Sequence, residues 1–170
     1  MAKTLFILFF CLLINIVNYA QNTTHGILFK TGYNRIGFYN NLSYQFNYKQ
    51  HQITIGPKHY TLDNFFEKNT IGLFLGYGYI IEAKNKKTFF KPSIEASFFK
   101  ENKSSGYLNL KDFQLSNKIG YYITQNINIG YTLGFGVILA NSKNNNGFYK
   151  AEYYNYEMAL SVGYHFVGNK

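Results

Sequence analysis

The chain has 170 residues, of which 46% are hydrophobic, 20% aromatic and only 15% charged, with a net charge of +9. So much apolar surface excludes intrinsic disorder, and the single cysteine, Cys11, excludes an internal disulfide scaffold. No apolar run reaches the roughly 18 residues that a spanning helix needs.

The first element is an address. Lys3 precedes an unbroken apolar run from Leu5 to Ile14, followed by Asn15, Asn18, Tyr19 and Ala20. A basic start, a short apolar centre and a small residue at the end describe a secretory signal peptide, with cleavage expected after Ala20. The alternative, an N-terminal anchor helix, is too short for about 30 Å of hydrocarbon. Cys11 lies mid-run behind Phe10 and reads as apolar filler, not as a lipidation site. The expected domains are therefore a signal peptide over 1–20 and one further domain over 21–170. Loss of Lys3 from the 17 basic residues leaves 16 against 8 acidic ones, a net charge of +8. An exported chain without cysteine needs another source of stability, and closure of a barrel is one.

From His25 onward the dominant pattern is alternation, the signature of strands with two different faces. Ile27, Phe29 and Tyr33 oppose Lys30 and Gly32. Phe38, Leu42, Tyr44 and Phe46 oppose Asn41, Ser43, Gln45 and Asn47, with Asn40 on the apolar side. Ile53 and Ile55 oppose Thr54 and Lys58, with Pro57 inside the run. Ile71, Leu73, Leu75, Tyr77, Tyr79 and Ile81 oppose Gly72, Gly76, Gly78 and Glu82. Phe90, Ile94, Ala96 and Phe98 oppose Lys91, Ser93, Glu95 and Ser97. Phe113, Leu115, Ile119, Tyr121 and Ile123 oppose Asp112, Gln114, Ser116 and Lys118. From Ile127 to Leu139 every odd position is apolar, while the even ones are mostly small or polar. Tyr154, Tyr156, Met158, Leu160, Val162, Tyr164 and Phe166 oppose Asn155, Glu157, Ser161 and His165. That makes eight segments.

Tight polar turns are expected around Lys49-Gln50-His51, at Lys84 to Lys87 and at Thr124-Gln125-Asn126. Longer loops are expected over 61–70, 100–110 and 140–150. Short and long connections alternate, which gathers the short turns at one end of the sheet. The connection near Asn34-Arg35 is short where a long one is expected.

A soluble lipocalin-like barrel turns its apolar face inward, and a membrane barrel turns it outward. Strands of about 10 to 13 residues suit a tilted span of an apolar band near 25 Å. The polar face is rich in Gly, Ser, Asn and Thr with charges of both signs, as a narrow lumen requires. Aromatics also crowd both ends of the apolar face: Phe46, Tyr48, Tyr79, Phe90, Tyr121, Tyr164 and Phe166 toward the short turns, and Tyr33, Phe38, Phe98, Phe113, Tyr154 and Tyr156 toward the long loops. Two such belts are what amphipathic rings form at two bilayer interfaces.

With its signal peptide, eight amphipathic strands and closing ALSVGYHF, the chain resembles small bacterial outer-membrane barrels of the OmpA/OmpX type. Its Asn/Lys/Tyr-rich style is similar to members from the Bacteroidota. The resemblance implies an all-β, eight-stranded antiparallel up-and-down transmembrane β-barrel in the outer membrane, within the broad porin family of membrane proteins. It also implies that Val162, Tyr164 and Phe166 form the terminal signal read by the insertion machinery. This chain departs by continuing through Val167-Gly168-Asn169-Lys170.

With the polar face inside, Lys30, Glu82, Lys91, Glu95, Asp112, Lys118 and Glu157 point into the lumen. Eight strands leave room only for side chains, so these charges are expected to pair in a network that leaves no continuous pore. A lipid A deacylase would need a Ser-His pair, and none of His25, His51, His59 and His165 has Ser two positions later. A palmitoyltransferase-like reading would have to recruit His59, Asp63, Ser104 and Ser105 from loops. No spacing suggests a metal site, and no cofactor is expected. The leading expectation is a non-enzymatic barrel whose loops meet lipid, the environment or a partner protein, including a larger outer-membrane complex. Phe65, Phe66, Tyr107, Phe148 and Tyr149 are the candidate loop contacts, with capping of the barrel mouth as the simpler role. Lys68, Lys100, Lys103, Lys143 and Lys150 flank the outer interface where lipopolysaccharide phosphates lie. No base-stacking module or phosphate cradle appears, so nucleic acid is not an expected partner. The rivals are a soluble ligand-binding barrel and a lipid A-modifying enzyme.

Overall fold

The computed structural model describes residues 23–63, 65–66, 70–103, 106–144 and 147–166. The expected signal peptide with Cys11, Lys68, the serines Ser104 and Ser105, and the tail from Val167 lie outside them.

Nine strand segments follow in order: β1 (Thr23–Asn34), β2 (Gly37–Tyr48), β3 (His51–Asp63), β4 (Thr70–Tyr79), β5 (Ile81–Glu82), β6 (Thr88–Lys103), β7 (Gly106–Tyr122), β8 (Ile127–Asn144) and β9 (Gly147–Phe166). β4 and β5 form one stave interrupted at Ile80, so the sheet has eight staves. Every pairing is antiparallel between sequence neighbours, except that β1 also pairs with β9 from His25↔Phe166 to Asn34↔Glu157. β4 pairs with β6, which closes the sheet into a barrel. Closure removes the free edges that make an open sheet prone to aggregation. Among the described residues there is no helix.

The period-two pattern decides which side each residue takes. Along β8, Ile129, Tyr131, Leu133, Phe135 and Val137 face outward, while Asn128, Thr132 and Ile138 are buried inside. The same parity holds around the barrel, with Leu42, Ile53, Leu73, Ile94, Leu115 and Leu160 all exposed on the outer wall. An ordinary core is thus turned inside out: the large apolar set lies outside and the polar set is enclosed.

β3 is less regular for a physical reason. Pro57 lacks an N–H and cannot complete the ladder toward β2. Asn41 Nδ2 donates to the Pro57 carbonyl at 2.9 Å, so the oxygen is satisfied where the pairing is interrupted. The register slips again between Phe38 and Tyr39.

Two expected loops are corrected. Segments 100–110 and 140–150 were expected to leave the sheet, yet β6 and β7 pair out to Lys103↔Gly106 and β8 and β9 out to Asn144↔Gly147. Their polarity changes because they pass beyond the apolar band. A strand ladder is made by the backbone and does not need apolar side chains. β6 to β9 therefore stand taller than β1 to β4, as a four-stranded tongue at the end opposite the short turns. The β1–β2 connection is as short as its sequence reads: Asn34 Oδ1 accepts from the backbone N–H of Ile36 at 2.9 Å and of Gly37 at 3.2 Å.

Candidate functional site in the barrel lumen

The interior is organised in three layers. The middle layer carries charge. Lys30 of β1 lies 2.7 Å from Glu95 of β6 and 2.6 Å from Glu157 of β9. Lys58 of β3 lies 3.7 Å from Asp112 of β7 and 3.5 Å from Glu157. Polar neighbours hold further lone pairs of Asp112 and Glu95: Asn155 Nδ2 donates to Asp112 at 2.7 Å, Gln114 Nε2 to Asp112 at 2.8 Å, and Ser116 to Glu95 at 3.0 Å. Buried charges are tolerated only when paired and hydrogen-bonded in this way. Aromatic faces add to the cage, since Lys58 Nζ sits 4.1 Å from the Tyr39 ring centroid and Lys30 Nζ 5.2 Å from that of Phe74.

Toward the tongue the lumen is closed by an apolar plug. Ile36, Tyr39, Tyr60, Phe66, Phe99, Leu110 and Ile138 pack together, with Phe65 leaning against them. Tyr60 meets Phe99 edge-to-face at 5.1 Å, and Phe66 covers both rings. The Tyr60 hydroxyl accepts from Asn34 Nδ2 at 2.7 Å, which ties the plug to the β1–β2 turn.

Toward the short turns a belt of amides and lysines lines the wall. Lys91 Nζ donates to Gln52 Oε1 at 2.6 Å, and Gln52 Nε2 to Asn47 Oδ1 at 2.7 Å. Lys118 Nζ donates to Asn128 Oδ1 at 3.1 Å. His165 bridges the two chains, its Nδ1 lying 3.2 Å from Asn47 Nδ2 and its Nε2 2.8 Å from Asn128 Nδ2. Beyond the belt an open vestibule of about 610 Å³ is lined by Lys49, Glu82, Lys86, Lys87, Tyr122 and His165.

Of the seven lumen charges read from the sequence, Lys30, Lys91, Glu95, Asp112, Lys118 and Glu157 are buried. Glu82 is not, and this is a correction. Among the described residues β5 pairs only with β6, and it lies at the rim past the break at Ile80, so Glu82 is exposed to the vestibule. Lys58 was readable as a polar-face residue but was absent from the expected network, because Pro57 obscures the strand around it. The plug was also missed. Its signal is present as apolar residues on lumen parity (Tyr39, Tyr60, Phe99, Leu110, Ile138) near the tongue end of each strand.

The other expected residues are dispersed. Val162, Tyr164 and Phe166 face outward, with Tyr164 and Phe166 in edge contact at 5.3 Å. Phe66 is buried in the plug and Phe65 stacks on Tyr153. Tyr107 contacts Phe148 across the tongue, and Phe148 and Tyr149 are exposed. His51 meets the Tyr77 hydroxyl at 2.6 Å on the outer wall, and His25 bonds Tyr44 similarly. His59 pairs with Asn40 and Ile71. No cluster of three His, Cys, Asp or Glu able to hold a metal ion occurs among the described residues.

No protein-family model matches the sequence, and no curated protein sequence matches it. Among solved structures the chain is similar to the N-terminal β-barrel domain of Pseudomonas aeruginosa OprF. The TM-score is 0.59 at 15% identity, covering 86% of this chain and 98% of that one. The likeness is one of fold: a closed, eight-stranded antiparallel barrel.

Proposed function

We propose that this closed barrel is an integral outer-membrane protein with a filled lumen, which acts through its exposed loops and tongue and not by catalysis. The observation that carries the reading is the inversion of the sheet. Leu115, Leu133 and Leu160 are exposed on the outer wall while Lys30, Lys58, Asp112 and Glu157 are sealed inside. In water this arrangement would leave a continuous apolar girdle unburied, whereas acyl chains cover it at no cost. Residues 1–20 then serve as the export signal, and Val162, Tyr164 and Phe166 as the face offered to the insertion machinery.

Exposed Lys100, Lys143 and Lys150 suit contact with lipopolysaccharide phosphates, and Phe148 and Tyr149 at the tongue tip suit a partner protein or a larger outer-membrane complex. Phe66, being buried, serves as a cap. The test is fractionation. A band in outer-membrane extracts that shifts on heating supports the reading, and release of the chain with the soluble periplasm overturns it. A pull-down in mild detergent then reports whether a partner travels with the tongue, and charge reversal of the three lysines should lower lipid-dependent thermal stability.

A further inference from the structure

The belt near the short turns holds a surplus that the rest of the lumen does not absorb. Lys91 and Lys118 are direct cross-strand partners, and both are buried. Like charges placed opposite one another destabilise a sheet. Each ammonium donates to an amide oxygen, not to a carboxylate. The buried lysines Lys30, Lys58, Lys91 and Lys118 face the three mid-lumen carboxylates Glu95, Asp112 and Glu157. Those carboxylates are committed to Lys30 and Lys58. Glu101 is ten residues along β6 from Lys91, on the order of 30 Å at strand rise, and too far to neutralise it. With both belt lysines charged, one positive charge is left over.

The hydrogen bonds of two charged lysines lead to the same place. A charged lysine only donates, so Gln52 must turn its oxygen to Lys91 and its NH₂ to Asn47, and Asn47 then turns its NH₂ to His165 Nδ1. On the other side Asn128 turns its oxygen to Lys118 and its NH₂ to His165 Nε2. Both ring nitrogens thus receive a donor, whereas a neutral imidazole has one acceptor nitrogen. With Lys91 and Lys118 both charged, the belt has one hydrogen too many, whichever way each amide is oriented.

A third observation locates the remedy. A void of about 10 Å³ is lined by three lysines, Lys30, Lys91 and Lys118, against one carboxylate, Glu95, with Thr54 and Thr132 also in its wall. That is room for about one water-sized species. The flexible lysine stems form part of its wall, so it adjusts to a halide but not to a phosphate or a carboxylate. Glycines make room for both lysine stems: a Cβ at Gly130 would collide with Lys118 Cε, and at Gly78, in the wall of the void, it would lie 3.0 Å from Lys91 Cγ.

We propose that a monoatomic anion of halide chemistry, chloride being the physiological one, binds in this void between Lys91 and Lys118. An anion only accepts, so it balances the extra charge and takes hydrogens from both ammonium groups. A lysine that turns to the anion releases its amide, the amides on that side turn over, and the imidazole N–H gains an acceptor. The vestibule outside, with Lys49, Lys86 and Lys87 against Glu82, supplies a net positive approach. The inference rests on the barrel interior and is independent of which solvent surrounds the wall.

The probe is bromide. Crystals of the full chain grown without halide and soaked in sodium bromide should show anomalous density at the bromine edge within hydrogen-bonding reach of both Nζ atoms. Density absent there, or confined to surface lysines as an adventitious ion only, overturns the proposal. In solution, the melting temperature in sodium chloride should exceed that in sodium gluconate at equal ionic strength by about 3 °C, as a tenfold excess over Kd gives for a chain of this size. Equal melting in the two salts also overturns it. Lys118→Met should abolish the difference, with folding checked by heat-dependent gel mobility. Should that variant not fold, the two wild-type measurements decide.

Discussion

Glu157 reaches Lys30 across the seam where the last strand meets the first, at 2.6 Å between residues 127 positions apart. The same carboxylate lies 3.5 Å from Lys58, so one side chain links three strands. Removing it leaves Lys30 with Glu95 alone and Lys58 with Asp112 alone. Glu157→Gln should cost about 3 kcal/mol, the usual effect of breaking a buried pair. The measurement is the urea unfolding midpoint in detergent micelles, read by gel mobility. Lys30→Met should cost less in the Glu157→Gln background than alone, because the two share one interaction. Strict additivity would contradict the pairing.

Backbone proximity makes a second prediction. A Cβ at Gly136 would collide with the Phe113 carbonyl oxygen and lie 2.8 Å from Gln114 Cα, both backbone atoms of the neighbouring strand. At Gly76 the nearest atom is Phe74 Cζ at 3.3 Å, the far end of a side chain. Gly136→Ala should therefore destabilise by about 1–3 kcal/mol, and Gly76→Ala by no more than about 0.5 kcal/mol. The same unfolding assay compares them, and equal costs would count against the strand contact described.

Much of this fold is legible because period two is a property of the chain itself. Leu133 and Thr132 take opposite sides whatever surrounds the barrel, and the same parity carries Lys91, Asp112 and Glu157 inward. What escaped the sequence depends on partners distant in the chain. Lys58 enters the charged layer because β3 lies within reach of β7 and β9, which no local pattern encodes. Tyr39 and Ile138 read as ordinary strand residues, and only closure brings them together as a plug. Glu82 is the converse: its parity is inward, but its stave breaks at Ile80 and ends at the rim. The tongue reads as loops from its polarity alone, yet its backbone ladder continues, with Lys103 and Asn144 still paired.

Orientation of the wall gives a third prediction. Leu133 lies mid-way along the apolar stretch of β8 and faces out. In lipid vesicles Leu133→Arg should cost about 2–4 kcal/mol, the effect of a cation near a bilayer midplane. A barrel standing in water would tolerate the same change with little loss. Comparing refolding yields and unfolding midpoints of both proteins in vesicles distinguishes the two cases, and a neutral result would remove the membrane reading.

A filled interior gives the fourth. Among the described residues, the plug around Tyr60, Phe66 and Phe99 and the cluster around Glu157 occupy the lumen at two levels, and the proposed filled barrel has no open pore. Planar bilayers containing the purified barrel should therefore carry no sustained large-channel current. Stable open levels in the wild-type protein would refute the filled lumen.

The seam between β1 and β9 also sets the timing of assembly. Thr23 begins the first stave and Phe166 ends the last, so the edge of β1 not paired with β2 has no partner until β9 has been synthesised. A nascent chain stopped anywhere short of Gly147 holds an open ribbon with two bare margins. Long-range pairing of this kind is slow to form. Closure is therefore post-synthetic by geometry, and both margins stay bare until they meet each other.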